Sequence, residues 1–406
     1  MDRELIITFS YYGIGGAQRR AFALADNFAK NGYKVYVLAV LGSDNTISTE
    51  NYYNVDEKVK LILIPDYYKN NKSEKNVVAD EIKTEKQISF FKKLQTVLKP
   101  FKRIIQKINF NINGLRKSKA LRSFMISHQG ATIINFGFNI YDRTYFSSKD
   151  LNCKIIYAET NASDKYRSER FFDLIQKKIQ KSYSLIFQTI EERKDHNSDK
   201  NKNAYVIHNP IKSDLPQPYN GPRNKTIVNF CRLSRQKNLL LLIQAFEILH
   251  MDFPDYILEL YADTSDPNNT VYKNELISYI SNNNLENCVF LLPPSSDIHN
   301  IILKSAMFVS SSDYEGISNS MIEAMAIGLP CVCTDCGGGG AKEMITDGEN
   351  GLLVPVKDAE ALKNAMVRMI IEEGLAEKCG INAAKIRETH SIEKISEKWL
   401  EVIKNI

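Results

Sequence analysis

An α/β molecule built from two doubly wound, parallel-sheet domains is what the chain predicts, and three observations carry that reading. Short buried-strand patterns alternate with amphipathic helix patterns, which implies parallel strands with helices on both faces. The alternation breaks once, over 208–226, where Pro210, Pro216, Pro218, Gly221 and Pro222 mark a linker, and then restarts. A length of 406 residues also exceeds what one ordinary core holds. The expected division is a first domain over 1–208, a linker over 209–225, a second domain over 226–385 and a terminal helix over 386–406.

Residues 5–9 read as a short buried strand, followed by a glycine-bearing loop to Gly16. A helix over about 17–30 then presents Phe22, Leu24, Ala25 and Phe28 on one face and stops at Asn31-Gly32. Further strands are expected over 33–41, 60–64, 132–136, 154–158, 184–188 and 204–207. After the linker come a strand over 226–231, a helix over 239–250, a strand over 256–261 and a helix over 273–282. Strands over 288–292 and 307–310 lead to a glutamate-bearing helix, then to strands over 331–334 and 352–356 and a helix over 359–372. The last stretch, with the single tryptophan Trp399, reads as an amphipathic helix.

Hydrophobic content of 43% and charged content of 25% suit a soluble globular protein. No apolar run approaches the roughly 18–20 residues that span a bilayer. Met1-Asp2-Arg3-Glu4 leads straight into a strand, so no secretory leader is expected. Seven cysteines, odd in number and mostly within apolar segments, suit a reducing cytoplasm. Cys331, Cys333 and Cys336 lie close together but lack a second pair at ligand spacing, so they read as core strand residues rather than a zinc site. The net charge of +5 is local: residues 86–129 carry eleven basic side chains and no acidic one. Phe90, Phe91, Leu94, Val97, Leu98, Phe101, Ile104, Ile105 and Ile108 interleave at roughly helical spacing, as on a helix lying on anionic lipid. Each basic residue there would contribute about 1 kcal/mol. A solvated helical pair is the alternative. Nucleic acid fits less well, because the aromatics line a helix face rather than a stacking platform. The expected location is therefore cytoplasmic, peripheral to the inner face of the cell membrane, with no nucleic-acid partner.

Residues 313–330 say most about function. Glu315 stands in a turn with Gly316, and Glu323 falls eight residues on, inside an amphipathic helix that ends at Gly328. Between them, Ser318, Asn319 and Ser320 suit the start of a helix. A helix N-terminus offers unpaired N–H groups and partial positive charge, so it binds phosphate. The carboxylates would flank that phosphate, about 7 Å apart along the axis. Carboxylates accept hydrogen bonds from paired hydroxyls, so the layout matches hexose, diphosphate and ribose in a nucleotide-sugar. The alternative is an ordinary helix with two solvated glutamates.

This E-x7-E spacing, followed by Glu323-Ala324-Met325-Ala326-Ile327-Gly328-Leu329-Pro330, resembles the retaining glycosyltransferases of family 4. The resemblance runs the length of the chain and is strongest over 228–356. It implies the GT-B fold, two Rossmann-like domains facing a central cleft, with the terminal helix crossing back onto the first. It also implies Glu315 on the transferred sugar, Glu323 on the ribose, backbone from Gly316, Ile317, Ser318, Asn319 and Ser320 on the diphosphate, and the base against backbone near Leu292-Pro293.

Arg232 and Lys237 close the second domain's first strand, where open α/β sheets bind ligands. Arg forks onto paired oxygens and Lys acts as a point charge. Their R-x4-K spacing matches the pair that, in the family, neutralises the departing nucleoside diphosphate. Cys231 and Asn238 replace the family's flanking glycines. The alternative is a solvated basic turn. Gly13-Ile14-Gly15-Gly16-Ala17-Gln18 resembles the family's GGxE loop, which places Gly15 and Gly16 on the donor phosphate, with Gln18 in place of the usual Glu. Arg19 and Arg20 serve the acceptor or form helix surface. Gly337 to Glu343 and Asp347 to Val354 resemble the turn, helix and return strand beside the donor. Gln18, Glu159 and Asn161 are the acceptor-side candidates. Thr160 stands where the family often has a histidine, and the six histidines offer no substitute, so no general base is assigned.

A retaining front-face displacement tolerates that, because the departing phosphate oxygen can take the acceptor's proton. Arg232, Lys237 and Glu315 are then the catalytic candidates, acting by position and charge. No D-x-D pair is present, so neither metal nor cofactor is expected. The expected activity is transfer of a hexose-type sugar from a UDP-sugar to a saccharide acceptor, lipid-linked in cell-surface polysaccharide assembly. A sugar-nucleotide 2-epimerase of the same fold and a catalytically silent partner subunit are the rival readings.

Overall fold

The computed structural model of the protein describes residues 4–10, 16–40, 56–64, 119–160, 172–263 and 269–406. Gly15, Asn161 and most of the basic segment (86–118) lie outside the described residues. The chain divides into two compact units: Met1–Ala158 with Asp173–Leu185 and Ile406, and Glu159–Phe172 with Ile186–Asn405.

One sheet has seven strands in the order β3-β2-β1-β4-β5-β6-β7. These are β1 (Glu4–Phe9), β2 (Lys34–Ala39), β3 (Val59–Leu63), β4 (Thr132–Phe136), β5 (Lys154–Ala158), β6 (Ser184–Phe187) and β7 (Ala204–Val206). β1 pairs in parallel with β2 and β4, as β2 does with β3 and β4 with β5. Helix α1 (Gly16–Lys30) buries Phe22, Leu24, Ala25 and Phe28 and ends at Gly32, whose φ is +84°. A left-handed residue there suits glycine, which has no Cβ to clash.

The second sheet has six strands in the order β10-β9-β8-β11-β12-β13. They are β8 (Thr226–Arg232), β9 (Ile257–Asp263), β10 (Val289–Leu292), β11 (Met307–Ser310), β12 (Cys331–Thr334) and β13 (Leu352–Val354). All five pairings are parallel. Alternate residues therefore serve opposite faces. Ile227 and Val332 join the core with Leu242, Phe246 and Met366, while Val228, Cys331 and Cys333 join the other with Ile322 and Met325. The two cysteines are buried core residues, as the strand reading required. Among the helices, six more matter below: α2 (Ile190–Asp195), α3 (Leu239–Asp252), α4 (Ile298–Ile301), α5 (Asn319–Ala326), α6 (Gly340–Met344) and α7 (Ile392–Lys404), the last holding fully buried Trp399.

Strand order in the second sheet reverses between β8 and β11. Loops leaving the carboxyl ends of two such strands diverge to opposite faces and leave a crevice. The loop after β8 carries Arg232 to Lys237, and the loop after β11 carries Asp313 to Ser318. Topology brings the two motifs together.

Candidate active site

Lys237 closes a one-turn 3-10 helix, Arg235–Lys237, at the tip of β8. Its ammonium reaches across to Glu315, Nζ to Oε2 at 2.6 Å, with 10% and 20% of the two side chains exposed. Burial acts to lower the Lys237 pKa, but the Glu315 carboxylate outweighs it and the net shift is upward. The lysine stays charged. Gln236 donates from Nε2 to Glu315 Oε2 at 3.3 Å and to the Tyr314 carbonyl at 2.9 Å. Glu315 N donates to the Gly337 carbonyl at 2.8 Å. Arg232 is exposed and has no hydrogen-bond or ion-pair partner among the described residues. Its charge opposes protonation of Lys237, so the two cations share one field.

Asn238 explains a departure from the family pattern. Its φ of +44° and ψ of +48° put it in the left-handed region, which glycine adopts freely and asparagine tolerates. Unlike glycine it also works as a cap: Oδ1 accepts from Leu241 N at 3.3 Å to start α3, and Nδ2 donates to Asp313 Oδ1 at 2.8 Å.

α5 begins after Ser318, whose Oγ accepts from Met321 N at 3.4 Å. Among the described residues the backbone N–H groups of Gly316, Ile317, Ser318, Asn319 and Ser320 have no acceptor. Together with the helix dipole they offer an arrangement that could hold an anion. Glu323 is the fifth residue of α5, only 4% exposed, and its Oε2 lies 2.8 Å from Nε2 of His299 in α4. The solvated-helix alternative is thereby excluded.

The turn between the glutamates is held from several sides. A Cβ on Gly316 would meet Glu192 Oε1 at 2.5 Å, and one on Gly340 would run into the Gly316 carbonyl. Asn209 donates to the Ile317 carbonyl, to Asn319 Oδ1 and to Gln188 Oε1 at 2.9–3.2 Å. Thr189 caps α2 by accepting from Glu192 N and donates to the Gly338 carbonyl at 2.6 Å. Glu343 of α6 accepts from Ile190 N and meets His208 Nε2 at 3.1 Å, and His208 Nδ1 meets His390 Nε2 at 3.0 Å. The segment 337–354 thus forms the expected turn, helix and strand.

Of the remaining candidates, Leu292 ends β10, half-buried against the core beside α5. Gly16 and Gln18 open α1 in the first unit. Glu159 is fully buried, with Oε2 3.1 Å from His196 Nε2 and Oε1 accepting from Thr160 N at 2.7 Å. Sequence reasoning missed His299 and Gln236. Gln236 lay inside a motif already singled out. His299 lies seven residues past Leu292 in a one-turn helix, where no spacing marks it.

The family model for glycosyl transferases group 1 matches residues 213–386, which contain every donor-side residue from Arg232 to Glu323. Over those residues the chain is similar to the glycosyl transferases of group 1. The chain is 25% identical over 249 residues to poly(glycerol-phosphate) alpha-glucosyltransferase of Bacillus subtilis. It is 34% identical over 165 residues to N-acetylgalactosamine-N,N'-diacetylbacillosaminyl-diphospho-undecaprenol 4-alpha-N-acetylgalactosaminyltransferase of Campylobacter jejuni. These matches take in 60% and 41% of the chain, and 36% and 42% of the relatives' own length. Anabaena HepE, solved with UDP and glucose, superposes with a TM-score of 0.76 at 16% identity, covering 100% of both chains. The fold is that of the GT-B glycosyltransferases.

Proposed function

We propose that the protein is a retaining, metal-independent glycosyltransferase that moves a hexose-type sugar from a UDP-sugar to a saccharide acceptor carried on a membrane lipid. One observation carries the reading: Lys237 and Glu315 in contact at the switch point, beside an exposed Arg232 and a run of unpaired helix-start N–H groups. A lysine has three N–H donors, so pairing with Glu315 leaves two for phosphate oxygens. Glu315 Oε1 makes no hydrogen bond among the described residues and is open to a sugar hydroxyl. Arg232 completes the neutralisation of the diphosphate.

In this mechanism the acceptor oxygen bonds to the sugar's anomeric carbon on the face from which the diphosphate leaves. The bond from that carbon to the phosphate oxygen breaks, and the acceptor proton passes to the departing oxygen. Cations and N–H dipoles stabilise the charge that grows there, which is where such groups act most strongly. UDP is favoured because HepE was solved with it, and a lipid-linked acceptor because the Campylobacter relative's name specifies one. Peripheral membrane contact through 86–129, and acceptor-side roles for Gln18, Glu159 and Asn161, rest on the sequence. So does the placing of Gly15 and Gly16.

The test is nucleotide release from a panel of UDP- and GDP-sugars with and without lipid-linked saccharides, with the product's anomeric configuration read by NMR. Release of UDP with an α-linked product from an α-linked donor is expected. Inversion, or no release from any donor, would overturn the proposal.

A further inference from the structure

We infer that His299 sets the orientation of Glu323 and so governs recognition of the nucleotide's ribose; this rests on the reading of Glu323 as the ribose acceptor. The two residues sit on separate elements, α4 beyond the carboxyl end of β10 and α5 beyond that of β11. Their side chains meet at 2.8 Å with 9% and 5% exposed. A carboxylate that accepts from ribose hydroxyls is ionised and only accepts, so on this reading Nε2 carries the proton and donates to Oε2.

The imidazole is itself fixed. Its ring stands edge-on to Phe230 of β8, with centroids 5.7 Å apart, and Phe230 stands edge-on to Phe308 of β11 at 5.4 Å. The orientation of Glu323 is therefore referred to the two central strands of the sheet. A glutamate has three side-chain torsions, and a site that must meet two vicinal hydroxyls gains from having them set beforehand. Each carboxylate oxygen holds two lone pairs, so donation by His299 leaves Oε2 able to accept again. Lys237 and Gln236 hold Glu315 in the same manner. His299 is a positioning residue that acts through Glu323.

Calorimetric titration of UDP and of 2′,3′-dideoxyuridine 5′-diphosphate into wild type, His299→Ala, His299→Phe and His299→Gln tests this. Wild type is expected to prefer UDP. His299→Ala should lose about tenfold in UDP affinity, the effect of one hydrogen bond to a charged group, with the dideoxy affinity unchanged. His299→Phe, which keeps a ring against Phe230, should show the same loss without loss of the fold. His299→Gln, which keeps an N–H donor, should recover part of the preference. A wild-type preference retained in the Phe variant, or an equal loss of both nucleotides, overturns the inference and leaves the transferase reading intact. A wild-type protein that binds neither nucleotide, or both equally, overturns the ribose reading and this inference with it.

Discussion

Lys237 and Glu315 show what one ion pair does at a sheet switch point. The pair is mostly buried, so removing either member strands the other charge, and the cost of that exceeds the value of an exposed bridge. Lys237→Ala is expected to lower turnover by about 100- to 1000-fold, the effect of deleting one preorganised group that stabilises developing negative charge. Nucleotide-release kinetics would show it, chiefly in kcat. Its pH signature follows from the upward shift of the Lys237 pKa. The raised folded value means that its stabilising share is full below the free-lysine value of about 10.4 and is lost only as pH rises above it. Near neutral pH the Lys237 ammonium keeps its charge. Both residues were legible as candidates from spacing and turn chemistry. Their contact was not, because 78 residues separate them and local pattern carries no distance across a fold.

At the scale of elements, small residues and caps hold the site. A Cβ at Gly340 meets backbone rather than a yielding side chain, so the β11–α5 turn must move to admit it. Gly340→Ala is expected to cost about 1–3 kcal/mol, the range for overpacking. UDP affinity, read by calorimetry on the folded fraction, should fall with it. Asn238→Ala meets both a left-handed backbone and a lost cap, at roughly 1–2 kcal/mol, whereas Asn238→Gly meets only lost side-chain bonds. Urea melts should rank wild type, Gly and Ala in that order. His390 joins the linker to the end of the chain through His208. Burial, then His208 and Lys398, push its pKa down to about 4. A histidine kept neutral in the fold stabilises fully above its free value of about 6.5 and loses that share as pH falls towards 4. The loss is at most about 3 kcal/mol. Subtracting the pH dependence of His390→Asn melts from that of wild type isolates it.

At the scale of the whole molecule, the same α/β plan occurs twice, and among the described residues the proposed donor constellation lies at the second sheet's switch point. On the proposed mechanism, two cations and oriented N–H groups there supply the charge that a divalent ion would otherwise bring, so EDTA is expected to leave turnover unchanged. A loss of more than about tenfold on chelation would show that a metal ion contributes transition-state charge. The uneven charge of the chain bears on location. Replacing Lys92, Lys93, Lys102 and Arg103 by glutamine should weaken sedimentation with anionic vesicles while leaving UDP affinity as it was, since each such charge contributes about 1 kcal/mol at a lipid surface.

The sequence by itself determined the α/β class and the strand and helix periods, and it singled out Arg232, Lys237, Glu315 and Glu323 as candidates. These depend on local pattern: alternation, glycine and proline placement, and residue types at short spacing. Only the tertiary structure decided that Lys237 binds Glu315 directly, that Glu323 is buried rather than solvated, and that His299 holds it. Those facts depend on strand order, because parallel strands bring to one edge loops that lie far apart along the chain, and no periodicity within a single element encodes which loops will meet.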